Sequence, residues 1–169
     1  MKLSRAAIAV VLAGSSAFAA GHRAVPPKWS VEVNRVETGS LNVAPEFTVA
    51  IYENVVEEFA KSKQFVGVLR SGDRNAASLP SLLILKITVE AFSSGSETKR
   101  AVTTVTGTTK LRVRTQLCTQ DGQVLLERVV DGDVRFLGEN LRATHNLARN
   151  VVKAIKQVTL PEPAPSNHA

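Results

Sequence analysis

The sequence predicts an α+β domain: a two-layer sandwich with a mixed five-stranded sheet and two helices on one face, in the order β-α-β-β-β-β-α. Three observations predict it. Several segments alternate apolar and polar residues with the period of a strand. Two others repeat apolar residues at helical spacing. Asp121-Gly122 sits between two β-rich runs and marks a hairpin.

The elements follow in order. In "WSVEVNRVE", Trp29, Val31 and Val33 alternate with Ser30, Glu32 and Asn34, which predicts the first strand. "GSLN" makes a loop. From about 45 to 63, Phe47, Ile51, Tyr52, Val55, Val56 and Phe59 share one helical face, with Glu53, Glu57 and Lys61 outside. Pro45 suits the first helical turn, and Glu46 suits the positive end of the helix. "QFVGVLR" predicts a short strand closed by "SGDRN", after which a loop runs to Pro80. In "LLILKITVEAF", Leu83, Leu85, Ile87 and Val89 point inward, while Lys86, Thr88 and Glu90 point outward. "SSGSETKR" turns the chain into a long β-rich run with Gly107 inside it, the mark of a bulge or close backbone approach. "QVLLERVVDGDV" is the return strand after Asp121-Gly122. Beyond a break at Gly138 comes a second helix, its apolar side formed by Leu141, Leu147, Ala148, Val151, Val152, Ile155 and Val158.

The hairpin fixes the reading of a basic stripe, Lys110, Arg112 and Arg114. With Asp121-Gly122 as a two-residue turn, Leu117 faces Leu126 and Val113 faces Val130; Leu111 and Val124 share this core side. On the opposite side Lys110 faces Asp133, Arg112 faces Asp131, and Gln116 faces Glu127. The stripe is therefore largely neutralised by its own partner strand, ordinary decoration of a solvated face. Cys118 falls on this wet face, opposite Leu125, and reads as a partly covered surface thiol under a loop, with an intermolecular disulfide or reactive thiol as the alternative.

Residues 1–19 read as a signal peptide. Lys2 and Arg5 precede an apolar stretch, and Ala17-Phe18-Ala19 fits a small-x-small cleavage site. The stretch is too short for a stable membrane span. No cysteine lies near the cut, which closes the lipoprotein route. Residues 20–28, with Pro26-Pro27, form an extended leader; 29–159 form a single domain; and 160–169, rich in proline, form a disordered tail. The expected location is the periplasm or the medium. The 169-residue chain carries formal charge +6; without Lys2 and Arg5 its 19 basic residues face 15 acidic ones, leaving +4. That balance, with few aromatics outside core-phase positions, argues against a nucleic-acid partner.

No chemistry assembles locally. His145 has no acid and no second histidine at helical spacing, so neither a zinc motif nor a triad forms. "DGDVRFLGENLR" fails as a calcium loop because Arg135, Phe136 and Arg142 occupy ligand or glycine positions. No phosphate-binding loop, dinucleotide fingerprint, nucleophile elbow or metalloprotease motif occurs. The expectation is no catalytic residue, no cofactor and no metal. Arg142, Asn146, Arg149, Lys153 and Lys156 line the polar side of the last helix. They read as charge complementing its negative end or as a docking face for anionic lipid or a partner protein.

"LLILKITVEAFSSGSETKR", "TGTTKLRVRTQL" and "QDGQVLLERVVDG", followed by an amphipathic helix, resemble an uncharacterised group of bacterial envelope proteins. Ile87, Phe92, Gly95, Arg100, Gly107, Asp121 and Gly122 carry the likeness across residues 29–158. The layout is also similar to the accessory α/β domain of the curli-secretion lipoprotein and to the amino-terminal domain of the Tol-system propeller protein. The resemblance implies a non-enzymatic envelope role and supplies no catalytic residues. The expected function is therefore binding or assembly with another periplasmic or outer-membrane component, through the exposed sheet face or the basic helix face. The alternative is a small-molecule-binding module or hydrolase with a non-local site around Arg70, Asp73 and Arg100.

Overall fold

The computed structural model describes residues 28–79, 81–95, 108–134 and 141–163. The predicted signal peptide, leader residues 20–27, Arg100, Gly107, Gly138 and the tail beyond residue 163 lie outside them.

The elements are β1 (Ser30–Val33), α1 (Pro45–Ser62), β2 (Val68–Arg70), a 3₁₀ helix (Arg74–Ser78), β3 (Leu82–Ser93), β4 (Thr109–Thr119), β5 (Val124–Val134) and α2 (Arg142–Lys156). The sheet order is β2-β1-β3-β4-β5. β1 runs parallel to both neighbours, and β3, β4 and β5 are antiparallel. The expected α+β architecture is present.

One core holds the two layers together. Val31, Val33, Leu83, Leu85, Ile87, Leu111, Val113 and Leu117 from the sheet meet Ile51, Val55 and Phe59 of α1 and Leu147, Val151 and Ile155 of α2. Most of these are fully buried. Each such side chain contributes about 1.5–3 kcal/mol of burial. A buried polar pair also joins the helices: Asn54 Nδ2 donates to Thr144 Oγ1 at 2.6 Å, and Thr144 Oγ1 donates to the Leu141 carbonyl at 2.6 Å. The amide and the hydroxyl thereby satisfy each other away from water.

α2 sits on β5 because of Gly132. A Cβ there would lie 2.5 Å from the Ala143 carbonyl oxygen and 2.6 Å from Leu147 Cβ. The glycine lets helix backbone approach strand backbone. Asn146 Nδ2 then donates to the Asp133 carbonyl and Asn150 Nδ2 to the Asp131 carbonyl, both at 2.8 Å. These bonds occupy acceptors on the outer edge of a terminal strand, where unpaired backbone would otherwise be exposed.

Three sequence expectations are corrected at the hairpin. The turn is a three-residue loop. Gly122 N–H donates to the Thr119 carbonyl at 3.1 Å, and Thr119 N–H donates to the Gln123 carbonyl at 2.9 Å. Gly122 has φ +91°, the positive-φ position that completes this loop type. The added loop residue shifts the pairing by one, so Cys118 faces Val124 rather than Leu125. An irregularity between Leu117 and Cys118 leaves Leu125 as the extra residue and restores the expected register from Leu117–Leu126 onward. Val124 is consequently exposed rather than on the core side. Cys118 is buried rather than wet.

The same outer face carries a second small core. The loop before β3 contains the 3₁₀ helix, and Leu69, Ala76 and Leu82 pack there with Leu79. Asp73 begins that helix by accepting from Asn75 N–H at 2.9 Å. Residues 160–163, at the start of the predicted tail, lie against the domain. Leu160 packs on the core, Trp29 Nε1 donates to the Pro161 carbonyl at 2.8 Å, and Lys28 pairs with Glu162.

Candidate interaction surfaces

The two arginines of the basic stripe on β4 are held by carboxylates of the neighbouring strands. Lys110 stands opposite Asp133 and Arg112 opposite Asp131 in the strand register. Arg112 Nε donates to Asp131 Oδ1 at 2.7 Å, and the Arg112 guanidinium holds the Asp131 carboxyl below the usual carboxylate range. Arg114 reaches across two strands. Its Nε donates to Glu90 Oε1 at 2.7 Å on β3 and its Nη1 to Glu127 Oε1 at 3.3 Å on β5. Gln116 Nε2 donates to the other Glu127 oxygen at 2.7 Å. Sequence reasoning missed Glu90, because its position depends on the β3–β4 register, which no turn signal fixes. Lys110, Arg112, Asp131, Gly132 and Asp133 also line an open cleft of about 490 Å³ with Phe92. Arg112 and Asp131 in it are already engaged with each other.

At the tip, Thr119 Oγ1 donates to Asp121 Oδ1 and lowers the Asp121 pKa. Asp121 and Gly122 are thus turn residues.

The polar side of α2 is different. Arg142, Arg149, Lys153 and Lys156 are all exposed, at spacings of seven, four and three. At 100° per residue they fall within an arc of about 60°. The buried residues Ala143, Leu147, Ala148, Val151, Val152 and Ile155 occupy the opposite arc. The four cations therefore form one row pointing away from the sheet. α2 contains no Asp or Glu. None of the four cations makes an ion pair within the described residues.

A second cleft, of about 470 Å³, opens at the carboxyl ends of the parallel strands β1 and β2. Arg35, Val36, Val49, Tyr52, Glu53 and Arg70 line it. Arg70 donates from both terminal guanidinium nitrogens to the Glu53 carboxylate and lies 5.8 Å above the Tyr52 ring. This hydrogen-bonded pair lowers the Glu53 pKa and raises that of Arg70. Asp73 is spent on the 3₁₀ helix. Among the described residues, no three His, Cys, Asp or Glu side chains gather as a metal site. No described helix is long and apolar enough to cross a membrane.

No protein-family model and no curated protein sequence matches the chain. Solved structures do resemble it. The PelC dodecamer from Paraburkholderia phytofirmans superposes with TM-score 0.56 at 13% identity, covering 78% of this chain and 89% of that one. The hypothetical protein CT253 from Chlamydia trachomatis gives TM-score 0.52 at 10% identity, covering 78% of this chain and 98% of that one. The chain shares their fold.

Proposed function

We propose that this chain is an exported, non-catalytic protein of the bacterial cell envelope, with a binding or assembly role toward another envelope component. The observation that carries this reading is the cationic row of α2. Arg142, Arg149, Lys153 and Lys156 leave one helix with four outward charges that make no ion pair among the described residues. An exposed face of one sign is a docking and steering surface for a partner of the other. The signal-peptide pattern supports the compartment. The shared fold with a protein that forms a dodecamer supports an assembly role.

Native sizing of extracts from the producing cell tests the proposal, comparing wild type with Arg149→Glu/Lys153→Glu. Wild type should run in a larger species that the variant loses, with melting temperature unchanged. Equal small sizes for both would overturn it.

The second reading is a small-molecule-binding module, favoured by the cleft at the carboxyl ends of β1 and β2. Sheets with parallel strands commonly hold ligands there. A rise in melting temperature across a panel of anionic metabolites, lost in Arg35→Ala, would move the assignment to that cleft.

A further inference from the structure

α1 carries the counterpart of the α2 row. Glu46, Glu53 and Glu57 are exposed at spacings of seven and four, the spacings of Arg142, Arg149 and Lys153. The α1 carboxylates likewise fall within an arc of about 40°, opposite Phe47, Ile51, Val55 and Phe59. Both rows therefore point out of the same helix layer, and the Asn54–Thr144 hydrogen bond fixes the two helices side by side. Pointing outward, the rows do not meet within one chain.

We propose that a second copy of this chain seats its acidic α1 row on the basic α2 row. This inference rests on the assembly reading above and names the partner. Laid in the same direction, the rows match residue for residue: Glu46 with Arg142, Glu53 with Arg149, Glu57 with Lys153. Because Asn54 lies level with Thr144 in each chain, this register offsets the two copies along the helices, so the contact is head-to-tail and leaves one acidic and one basic row for further copies. Glu46 has no ion pair in its own chain among those described. Glu53 and Glu57 hold Arg70 and Lys61, whose side chains are 54% and 59% exposed. Such solvated pairs exchange partners at little cost.

Charge layout also separates a second copy from a membrane. A flat anionic bilayer resting on α2 would meet α1 in the same layer, where Glu46, Glu53, Glu57 and Glu58 outnumber Lys61. Packed helices lie about 8–10 Å apart, about one Debye length at physiological salt, so repulsion from the α1 carboxylates weakens the attraction of the α2 row. A copy of this chain presents both signs in the matching places.

The test is sedimentation equilibrium of the purified protein in low and high salt. Wild type should self-associate, about ten-fold more weakly once salt shortens the Debye length to a few ångströms. Arg149→Glu/Lys153→Glu and Glu46→Lys/Glu57→Lys should each be monomeric. Mixed one to one, they should form a heteromer, and all four changes in one chain should restore self-association. All four positions are exposed, and circular dichroism melting confirms that each variant is folded. A monomeric wild type, reversal variants that still associate, or a mixture that does not would each overturn the proposal. So would a monomer that floats with phosphatidylglycerol vesicles and loses them in Arg149→Glu/Lys153→Glu. If the purified chain is monomeric while the larger species in extracts persists and depends on Arg149 and Lys153, the assembly reading stands and the second copy falls.

Discussion

α1 and α2 lie in one layer and bury comparable apolar faces on one sheet, yet their outer surfaces are treated differently. Glu53 and Glu57 of α1 are held by Arg70 and Lys61. The cations of α2 make no such pair among the described residues. Fold stability explains neither pattern, because exposed ion pairs contribute only about 0–1 kcal/mol each. The difference teaches that packing and surface charge are separable here. The inward arcs build the domain, and the outward rows are free to serve recognition.

Breaking the packing of either helix should have the largest effect. Phe59→Ala in α1 should destabilise the fold by about 3–5 kcal/mol in denaturant unfolding. Phe59 is fully buried and its ring lies 5.5 Å from that of Phe65. Gly132→Ala attacks α2 from the strand below it. The added Cβ meets helix backbone, which cannot move aside cheaply, so a loss of about 2–3 kcal/mol is expected. A loss well under 1 kcal/mol would mean that α2 is seated more loosely than α1.

The shared link comes next. Thr144→Val should cost about 1–2 kcal/mol, because it leaves the Asn54 amide buried without its acceptor. Asn54→Leu together with Thr144→Val should recover much of that loss. Failure to recover would show that the pair is not an isolated unit.

Surface charge should matter least for stability. Lys153→Ala and Arg149→Ala should each shift unfolding by less than about 0.5 kcal/mol. Arg70→Ala should lower the melting temperature slightly more than either of these, an asymmetry between the helices that a melting curve would just resolve. Acid sharpens the contrast. Glu53, Glu57 and Asp131 have pKa values lowered by hydrogen bonds from Arg70, Lys61 and Arg112. Their contribution is complete above the ordinary carboxylate range and is lost as pH falls through the lowered values. A shallow loss of stability below about pH 4 is expected, reduced in Arg70→Ala. An unchanged acid limb in that variant would show that the Glu53 pair contributes nothing.

Much of this was legible in the sequence because it is local. Alternation placed β1, β3, β4 and β5, and helical spacing placed α1 nearly to the residue and α2 within a longer stretch. Asp121-Gly122 located the hairpin, and the register it implied pairs Arg112 with Asp131. The agreement there conceals two departures. The turn holds one residue more than expected, and the bulge at Leu125 compensates. Between the two, Val124 leaves the core side and is exposed, an outcome no period-two pattern can foresee.

The sequence by itself determined the elements, their inward faces and the two charged rows, since each depends on residues within a few turns of one another. Tertiary structure alone decided what is distant in sequence and close in space. Gly132 reads only as one position of the return strand "QVLLERVVDGDV" and is in fact where α2 touches β5. Glu90 completes the Arg114 network only once β3 lies beside β4. The acidic and basic rows become one surface only because Asn54 and Thr144, ninety positions apart, place α1 beside α2. Local chemistry sets which face of an element turns inward, and the packing of elements against one another sets which outward faces become neighbours.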